Sequence, residues 1–430
     1  MKDCGSQDPL SRPRLLLLYL PLLCFLCLAH LLTPAEATEW KGRRIVKDGV
    51  LHVMNPAEPM EPPAVYELRE LWRLESETED GDLVFGTVNA IAEDEDGNIY
   101  LLDTQLKTVH LISPEGNYLR SIGRGGEGPG ELNYPTQMFL ADDGRVCILD
   151  RNAGNLTFLT RDGQPSGEWL PKLDGYNSVY LLGAHAVPNG YAVVAGAKRF
   201  AGDIMTDTKL IGVFDSAGHV VARAAEQSRT RIRGERFVYD EDVWDAYRFL
   251  EVTADEKLLI SCSYRDYRID VHDLDGSVSM VIHRDYQPVE RSEEELTGEK
   301  EYWEGYFRRY KNPKIEISPY ERTIASVEVR ADGSFWVGTS HSWRDLPEGV
   351  AEVLDAFSKD GLFVRQIVLR KDISPENDYL YYLEDKVLVS TGGASAELAA
   401  VGGASGNSEE AGLGNEAIPA AILCEMVRVQ

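Results

Sequence analysis

Basic side chains recur just after short apolar runs of this chain, and their chemistry is that of an anion site. Six residues in such positions are candidate ligand-binding residues: Arg151, Arg199, Arg265, His341, Trp343 and Arg344. Guanidinium groups bind planar carboxylates and phosphates through paired hydrogen bonds. Trp343, with Tyr264 and Phe200, offers aromatic faces for stacking. If the segments that carry these residues converge at one end of the fold, the sequence predicts a site for a small anion or an acidic sugar.

Two of these arginines also have a structural interpretation. Arg151 follows Asp150 and Arg265 precedes Asp266 in the sequence. Each pair could instead tie neighbouring parts of the fold together as an ion pair. The sequence leaves both interpretations open.

Metal and cofactor sites have weaker support. Asp94, Asp96 and Asn98 alternate like the first half of a calcium loop, but Gln105 stands at the twelfth position, where that loop needs glutamate. Gly123–Glu131 (GRGGEGPGE) has neither the lysine nor the following helix of a phosphate loop, and we expect it to connect two structural units. No CxxC motif lies beyond the predicted signal peptide, so zinc is not expected. The sequence predicts no cofactor.

A repeated four-stranded unit would position the candidate residues. The stretch from Val88 to Pro135 contains four short β-rich runs separated by turns. Its turns recur at intervals of 46 or 47 residues: Gly97, Gly144 and Gly190 for the first turn, Gly116 and Gly163 for the second. Looser copies of the unit follow at Glu256, at Gly333 and from Leu380. This period predicts an all-β fold, a six-bladed β-propeller of four-stranded antiparallel blades.

A ring of six blades needs a closing device, because an open ring leaves unpaired strand edges. Ala64 to Leu74 has the pattern of a strand and precedes the first full unit, and the chain ends in the apolar run AAILCEMVRVQ. We therefore expect the N-terminal strand to complete the sixth blade as its outer edge.

A helix is predicted between blades four and five. Ser292 and Glu295 form a capping box, which begins a helix that extends to about Lys311. Its aromatic residues recur at three- and four-residue intervals and form one face: Trp303, Tyr306, Phe307 and Tyr310. Such a face packs on its own propeller, or else it forms a lid or a docking surface for a partner.

The repeat resembles that of the bacterial six-bladed β-propeller proteins related to NHL repeats. The resemblance rests on the pattern D-x-x-G-x-[IV]-Y-[VL]-x-D at Asp94 to Asp103 and on the glycine-rich stretch Gly123–Glu131. It extends over about Ala64 to Gln430 and is strongest in the first two blades. It implies the fold and an extracytoplasmic role, and it implies no particular activity.

The N-terminus has the pattern of a signal peptide over residues 1–37. Arg12 and Arg14 precede an apolar run from Leu15 to Leu32, and Ala35-Glu36-Ala37 fits a cleavage site. The alternative is an uncleaved anchor, since a run of 18 residues is at the lower limit for spanning a bilayer. We expect an exported protein, periplasmic or secreted.

One propeller domain then covers residues 38–430, with insertions at about 199–207, 284–322 and 391–417. The last of these insertions is expected to be disordered.

Charge and cysteines restrict the partners and the chemistry. The formal net charge of −27 disfavours nucleic acid and anionic membrane surfaces as partners. Cys147, Cys262 and Cys424 lie in alternate predicted blades, too far apart for disulfides. They are expected to be buried free thiols.

The sequence thus predicts a monomeric, exported recognition or scaffold module that binds a small anionic ligand or a protein partner at the mouth of the channel. It predicts no nucleic-acid partner and no stable membrane insertion after signal cleavage. Whether a reaction is catalysed stays open. The alternatives are a metal-dependent, lactonase-like propeller hydrolase or lyase, and a docking platform that uses the aromatic helix.

Overall fold

The computed structural model describes residues 39–75, 85–244, 249–310, 312–374, 378–391 and 420–429. The contacts divide the chain into Met1–Trp40 and Lys41–Gln430, and every element below lies in the second unit. The predicted signal peptide, residues 1–37, lies outside the described residues. The same holds for all but Thr391 of the insertion predicted at 391–417.

The first half of the chain forms three blades. Three strands precede them: β1 (Arg43–Lys47), β2 (Val50–Asn55) and β3 (Ala64–Glu75). The first two blades contain β4 (Val88–Glu93), β5 (Ile99–Asp103), β6 (Thr108–Ile112), β7 (Tyr118–Ile122), β8 (Pro135–Leu140), β9 (Val146–Asp150), β10 (Asn155–Leu159) and β11 (Pro165–Trp169). The third contains β12 (Ser178–Val187), β13 (Gly190–Ala201), β14 (Ile204–Asp215) and β15 (Val220–Ile232).

The second half forms the other three blades. The fourth follows β16 (Val238–Asp240) and α1 (Glu241–Trp244) and contains β17 (Phe249–Val252), β18 (Leu258–Ser261), β19 (Arg268–His272) and β20 (Val278–Arg284). The fifth follows α2 (Glu293–Tyr306) and β21 (Lys314–Glu316) and contains β22 (Ile324–Val329), β23 (Phe335–Thr339), β24 (Val350–Phe357) and β25 (Phe363–Arg370). The sixth contains β26 (Tyr379–Tyr382), β27 (Lys386–Thr391) and β28 (Ala420–Arg428). The predicted six-bladed β-propeller is confirmed.

The first turn of blade one explains the acidic motif of the sequence. The Asp94 carboxylate accepts hydrogen bonds from the backbone N–H groups of Asp96 (3.0 Å) and Asn98 (2.9 Å). Gly97 adopts a φ of 80°, which favours glycine. In the fourth blade Glu256 adopts a φ of 62° at the equivalent position. The alternation of polar residues that resembles a calcium loop is therefore the framework of a turn.

The core lies between the faces of neighbouring blades. In β5, Leu101 packs in a cluster with Leu423 of the sixth blade. The next residue, Leu102, packs in a cluster with Ile148 of the second blade. Because both faces of the middle strands are covered, these strands are apolar at consecutive positions instead of alternating.

The ends of the chain close the ring as predicted. Strand β3 pairs antiparallel with β28, with Trp72 opposite Leu423, and it is the outer strand of the sixth blade. The innermost strands β26 and β4 of the sixth and first blades are neighbours. Two pairings were not predicted. The first residues of β3 pair parallel with β25, and the β1–β2 hairpin adds to the fourth blade through parallel pairing of β2 with β20.

The predicted helix forms between blades four and five and begins with the predicted capping box at Ser292. It ends at Tyr306, earlier than the predicted Lys311, because the chain tightens there into turns. Trp303 and Phe307 pack in one cluster with Phe237 and Tyr239, so the aromatic face packs against the segment that precedes blade four. Neither of the two helices found in the described part of the chain is long and apolar enough to cross a membrane.

The three cysteines beyond the predicted signal peptide are free, as expected. Cys147 and Cys424 are buried and Cys262 is partly buried. Burial raises the pKa of Cys147 and of Cys262 to about 12. These thiols are protonated at neutral pH and act as small apolar side chains.

Candidate functional site

A cavity of about 800 Å³ lies over the innermost strands of blades one to four. Its floor is formed by one or more residues from each of these strands: Asn89, Gln137, Gly183, His185 and Glu251. Two insertions of the propeller, one from blade three and one that contains α2, form the walls. The cavity is thus built where loops depart furthest from the basic repeat.

One wall is a ribbon formed by the long ends of β13, β14 and β15. These strands have 12, 12 and 13 residues, whereas the strands of the second blade have five or six. The predicted insertion at 199–207 is the tip of this ribbon. Lys198 pairs with Asp207, and Met205 pairs with Arg231. Because directly paired residues share a face of a sheet, Lys198, Asp207 and Arg231 line the cavity together with Lys209.

The opposite wall is aromatic. Trp303, Tyr306, Phe307 and Tyr310 all line the cavity. The rings support one another: Trp303 stacks on Tyr239 with centroids 4.4 Å apart. Trp303 and Phe307 are buried, while Tyr306 and Tyr310 are partly exposed. Ring contacts within the wall thus hold it together and leave two tyrosine rings partly exposed.

Positive charge dominates the lining. Five basic side chains line the cavity, against two acidic ones, Asp207 and Glu251. The basic residues are Arg151, Lys198, Lys209, Arg231 and Arg309. Arg231 pairs with Asp207 at 3.1 Å and lies 5.5 Å from the centroid of the Tyr310 ring. Lys198 lies 5.6 Å from the Tyr180 centroid. The cavity therefore combines cations with aromatic rings on a chain of net charge −27.

Two titratable groups lie side by side in the floor. His185 Nε2 is 3.8 Å from Glu251 Oε1, and both side chains are largely covered. Burial raises the pKa of Glu251 to about 8 and lowers the pKa of His185 to about 4. Burial therefore favours the neutral form of both groups near pH 7. Protonation of Glu251 further increases the positive charge of the cavity.

Two more glutamates with raised pKa values lie in blade five. Burial raises the pKa of Glu328 to about 8, and the negative charges of Glu251 and Glu352 contribute less to this shift. Burial raises the pKa of Glu352 to about 7, although the hydroxyl of Tyr382 donates to this carboxylate. Both carboxylates are partly exposed.

These raised pKa values predict that the stability of the protein falls as the pH rises. A carboxyl whose pKa is higher in the folded than in the unfolded protein stabilises the fold while it is protonated. This contribution is complete below the ordinary glutamate pKa of 4.5 and is lost as the pH rises to about 8. Glu328→Gln should unfold with less pH dependence and should be about 1–2 kcal/mol more stable than the wild type at pH 9, allowing for screening by water. Urea unfolding at pH 5, 7 and 9 measures this. Glu348→Gln, at an exposed site, is the control, and equal pH slopes for Glu328→Gln and the wild type would contradict the prediction.

The structure places one of the six predicted site residues, Arg151, in this cavity. Arg199 is exposed and adjoins Lys198 on β13, so it faces the opposite side of the ribbon. Trp343 is 43% exposed and does not line the cavity. His341 Nε2 lies 3.0 Å from the backbone oxygen of Gln287.

The other two arginines are held by carboxylates distant in sequence. Arg265 pairs with Asp242 and not with its neighbour Asp266. Arg344 pairs with Glu295 and with Glu321. The structure therefore does not bring the six residues together.

Asp150, the neighbour of Arg151, has a structural role of its own. Its carboxylate accepts hydrogen bonds from the backbone N–H groups of Asn133 (2.5 Å), Tyr134 (3.1 Å) and Ala153 (3.0 Å). Asp103, at the equivalent position of blade one, accepts in the same way from Gly86 at 2.6 Å. These aspartates fix the loops, including the one from which Arg151 extends.

The sequence interpretation missed four of the cavity's basic residues as candidates: Lys198, Lys209, Arg231 and Arg309. A signal existed for one of them. The segment RTRIR places arginines at alternate positions, which in a strand puts Arg229, Arg231 and Arg233 on one face. Arg309 follows α2, which lies between blades four and five, and no local pattern connects it with the ribbon.

The described residues contain no group of three or more histidine, cysteine, aspartate or glutamate side chains that could hold a metal ion. The glycine-rich stretch Gly123–Glu131 joins β7 to β8, as predicted. Glu131 lies inside it and accepts hydrogen bonds from Gly128 N–H (2.8 Å) and Arg124 (2.8 Å). This carboxylate occupies the centre of the loop.

A match to a family model supports the fold. Residues 73–174 match a family model described as a 6-bladed beta-propeller. Similar solved structures include a protein of Bacteroides fragilis described as exported (12% identity, 85% of this chain, 99% of that chain, TM-score 0.47). A DUF4221 family member from Bacteroides vulgatus is also similar (9% identity, 85% of this chain, 98% of that chain, TM-score 0.44). So is virginiamycin B lyase from Staphylococcus aureus (11% identity, 82% of this chain, 99% of that chain, TM-score 0.39). No curated protein matches the chain.

Proposed function

We propose that the protein is an exported, monomeric recognition module that binds a small acidic sugar, or an anion of similar size, in the cavity between the ribbon and α2. The observation that carries this proposal is the concentration of five basic side chains and several aromatic rings in one cavity of an acidic chain. Guanidinium and ammonium groups bind a carboxylate, and the exposed tyrosine rings cover the apolar face of a sugar ring.

The packing of the aromatic helix favours binding of a small ligand and argues against a role as a docking platform for a protein. Trp303 and Phe307, the two central rings of its aromatic face, are 6% exposed each and pack on Phe237 and Tyr239. A protein partner would have little apolar surface of this face to contact. The rings are instead available as the wall of the cavity.

The protonation state of the floor favours an anionic ligand. With Glu251 neutral near pH 7, Asp207 is the one negative side chain among the residues that line the cavity, and it already pairs with Arg231. An incoming carboxylate therefore meets little repulsion. Affinity for the anion should decrease as the pH rises through about 8 and Glu251 ionises.

Calorimetric titration with galacturonate at pH 6 tests the proposal, with galactose as the neutral ligand of the same shape. We expect galacturonate to bind and galactose to bind at least about tenfold more weakly, because it lacks the charge-assisted hydrogen bonds. The double variant Arg151→Gln/Lys209→Gln should lose about tenfold or more in galacturonate affinity.

The control keeps the change in net charge but moves it away from the cavity. Arg223 and Lys359 are exposed and do not line the cavity. Arg223→Gln/Lys359→Gln should bind galacturonate within about twofold of the wild type. Equal binding of galactose and galacturonate, or equal losses in the two double variants, would contradict the proposal.

A further inference from the structure

We infer that the ligand is polymeric: an acidic oligosaccharide that lies along the ribbon, of which the cavity holds one end. This inference rests on the proposed function and extends it from a single sugar to a chain of sugars. Three observations carry it: the register of the ribbon, the exposure of Phe200 near its tip, and the rings that accompany its charges.

The register of β13, β14 and β15 arranges the cavity-facing side chains in successive rows. The innermost row contains Lys209 opposite Gln227. The next row contains Lys198, Asp207 and Arg229, and the outermost contains Phe200, Met205 and Arg231. Rows two residues apart on a strand are about 6.8 Å apart, so the three rows span roughly 14 Å. That length exceeds one sugar ring and accommodates two or three in succession.

The two outer rows extend past the lining of the cavity, although each also has a member in it. Phe200 and Arg229 share the face of Lys198 and Arg231 but do not line the cavity itself. Phe200 is 52% exposed, although it is a large apolar side chain. A ligand confined to the cavity would leave this part of the face uncovered, whereas a longer one would cover it.

The side chains of the rows and of the facing wall fit sugars better than an acidic peptide. Basic residues stand beside rings: Lys198 beside Tyr180, Arg231 beside Phe237 and Tyr310. A uronate residue carries both features that such a pair recognises, a carboxylate for the cation and an apolar ring face for the aromatic group. An extended peptide of glutamates carries the charge alone.

The opposite face of the same ribbon provides a matched control. Arg199 and Ile204 lie on it, both exposed, with Ile204 44% exposed. Direct pairing of Ile204 with Ala201 and Ile232, and the alternation along β13, place both residues away from the cavity. The test variant is Phe200→Ala/Arg229→Gln, and the control variant is Arg199→Gln/Ile204→Ala.

The experiment is calorimetric titration of the full chain with galacturonate, with its hexamer and with a hexamer of glutamate. We expect the galacturonate hexamer to bind at least about tenfold more tightly than the monomer, because further rows add contacts. The test variant should lose about fivefold or more in hexamer affinity and keep monomer affinity within about twofold. The control variant should bind both as the wild type does, and unfolding midpoints should show that both variants are folded.

Each other outcome overturns a different statement. If the monomer binds and the hexamer binds no more tightly, the polymeric ligand is wrong and the cavity site stands. If the test and control variants lose hexamer affinity equally, the ribbon face is not the site of the chain. Tighter binding of the glutamate hexamer would replace the sugar by an acidic peptide. If neither galacturonate ligand binds, the proposed function itself is wrong.

Discussion

Replacing Arg291 with alanine is expected to lower the free energy of unfolding by about 3–5 kcal/mol, because the substitution leaves a buried carboxylate without its cation. Arg291 and Glu241 have side chains only 10% and 5% exposed. The guanidinium donates two hydrogen bonds to the Glu241 carboxylate, at 2.7 and 3.0 Å. The same carboxylate accepts from the Tyr264 hydroxyl at 2.6 Å and from Ser318 N–H at 3.0 Å.

This network connects the cavity wall to the propeller. Glu241 begins α1, Arg291 lies just before α2, and Tyr264 belongs to blade four. Loss of the arginine should therefore release the segment that carries α2, and galacturonate binding should fall together with stability. Urea unfolding and calorimetric titration measure the two effects.

Arg265→Ala is the matched control for Arg291→Ala. Arg265 pairs with Asp242, one residue beyond Glu241, but its side chain is 45% exposed. Removal of an exposed pair of this kind should cost less than about 1 kcal/mol. Equal losses in the two variants would show that the buried network does not hold the segment.

Trp72→Ala is expected to lower the free energy of unfolding by about 3–5 kcal/mol, the usual cost of removing a large buried side chain. Trp72 is 8% exposed and lies in the strand that closes the ring. Its cluster joins blade six to blade one and includes Leu388, Leu423 and Ile99. A Cβ atom added at Gly116 would lie 2.6 Å from the Trp72 side chain, so the neighbouring blade approaches it closely.

Trp343→Ala removes the same side chain from an exposed position and is the control. Trp343 is 43% exposed, and its replacement should change stability by about 0.5 kcal/mol or less. The midpoints and slopes of urea unfolding curves decide between the two. A loss at Trp72 no larger than that at Trp343 would mean that the closing strand contributes little to the stability of the ring.

The blades could be predicted from sequence because their signals are local. Gly97 and Gly144 mark turns that require a positive φ, and the strands beside them are short and apolar. Ring closure was also predictable, because one strand precedes the repeats and one follows them, and pairing these two strands closes the ring. The β1–β2 hairpin was not, because it pairs with β20 more than 200 residues away, and neither of its strands shows which blade it will join.

The site was less predictable for the same reason. Arg344 looks like a free cation in sequence, yet it pairs with Glu295 from α2. Lys198 and Arg199 are adjacent and chemically alike, but the register of β13 sends them to opposite faces of the ribbon. A one-residue change of register would exchange them. Only the pairing of the strands shows which cation reaches the cavity.

The most direct measurement of anion binding in this cavity is a crystal structure of the protein grown with the galacturonate trimer at pH 6. We expect density for the ligand between the ribbon and α2, with a carboxylate within hydrogen-bonding distance of Arg151 or Lys209. An empty cavity at saturating trimer, or a trimer bound elsewhere on the propeller, would contradict the proposed function.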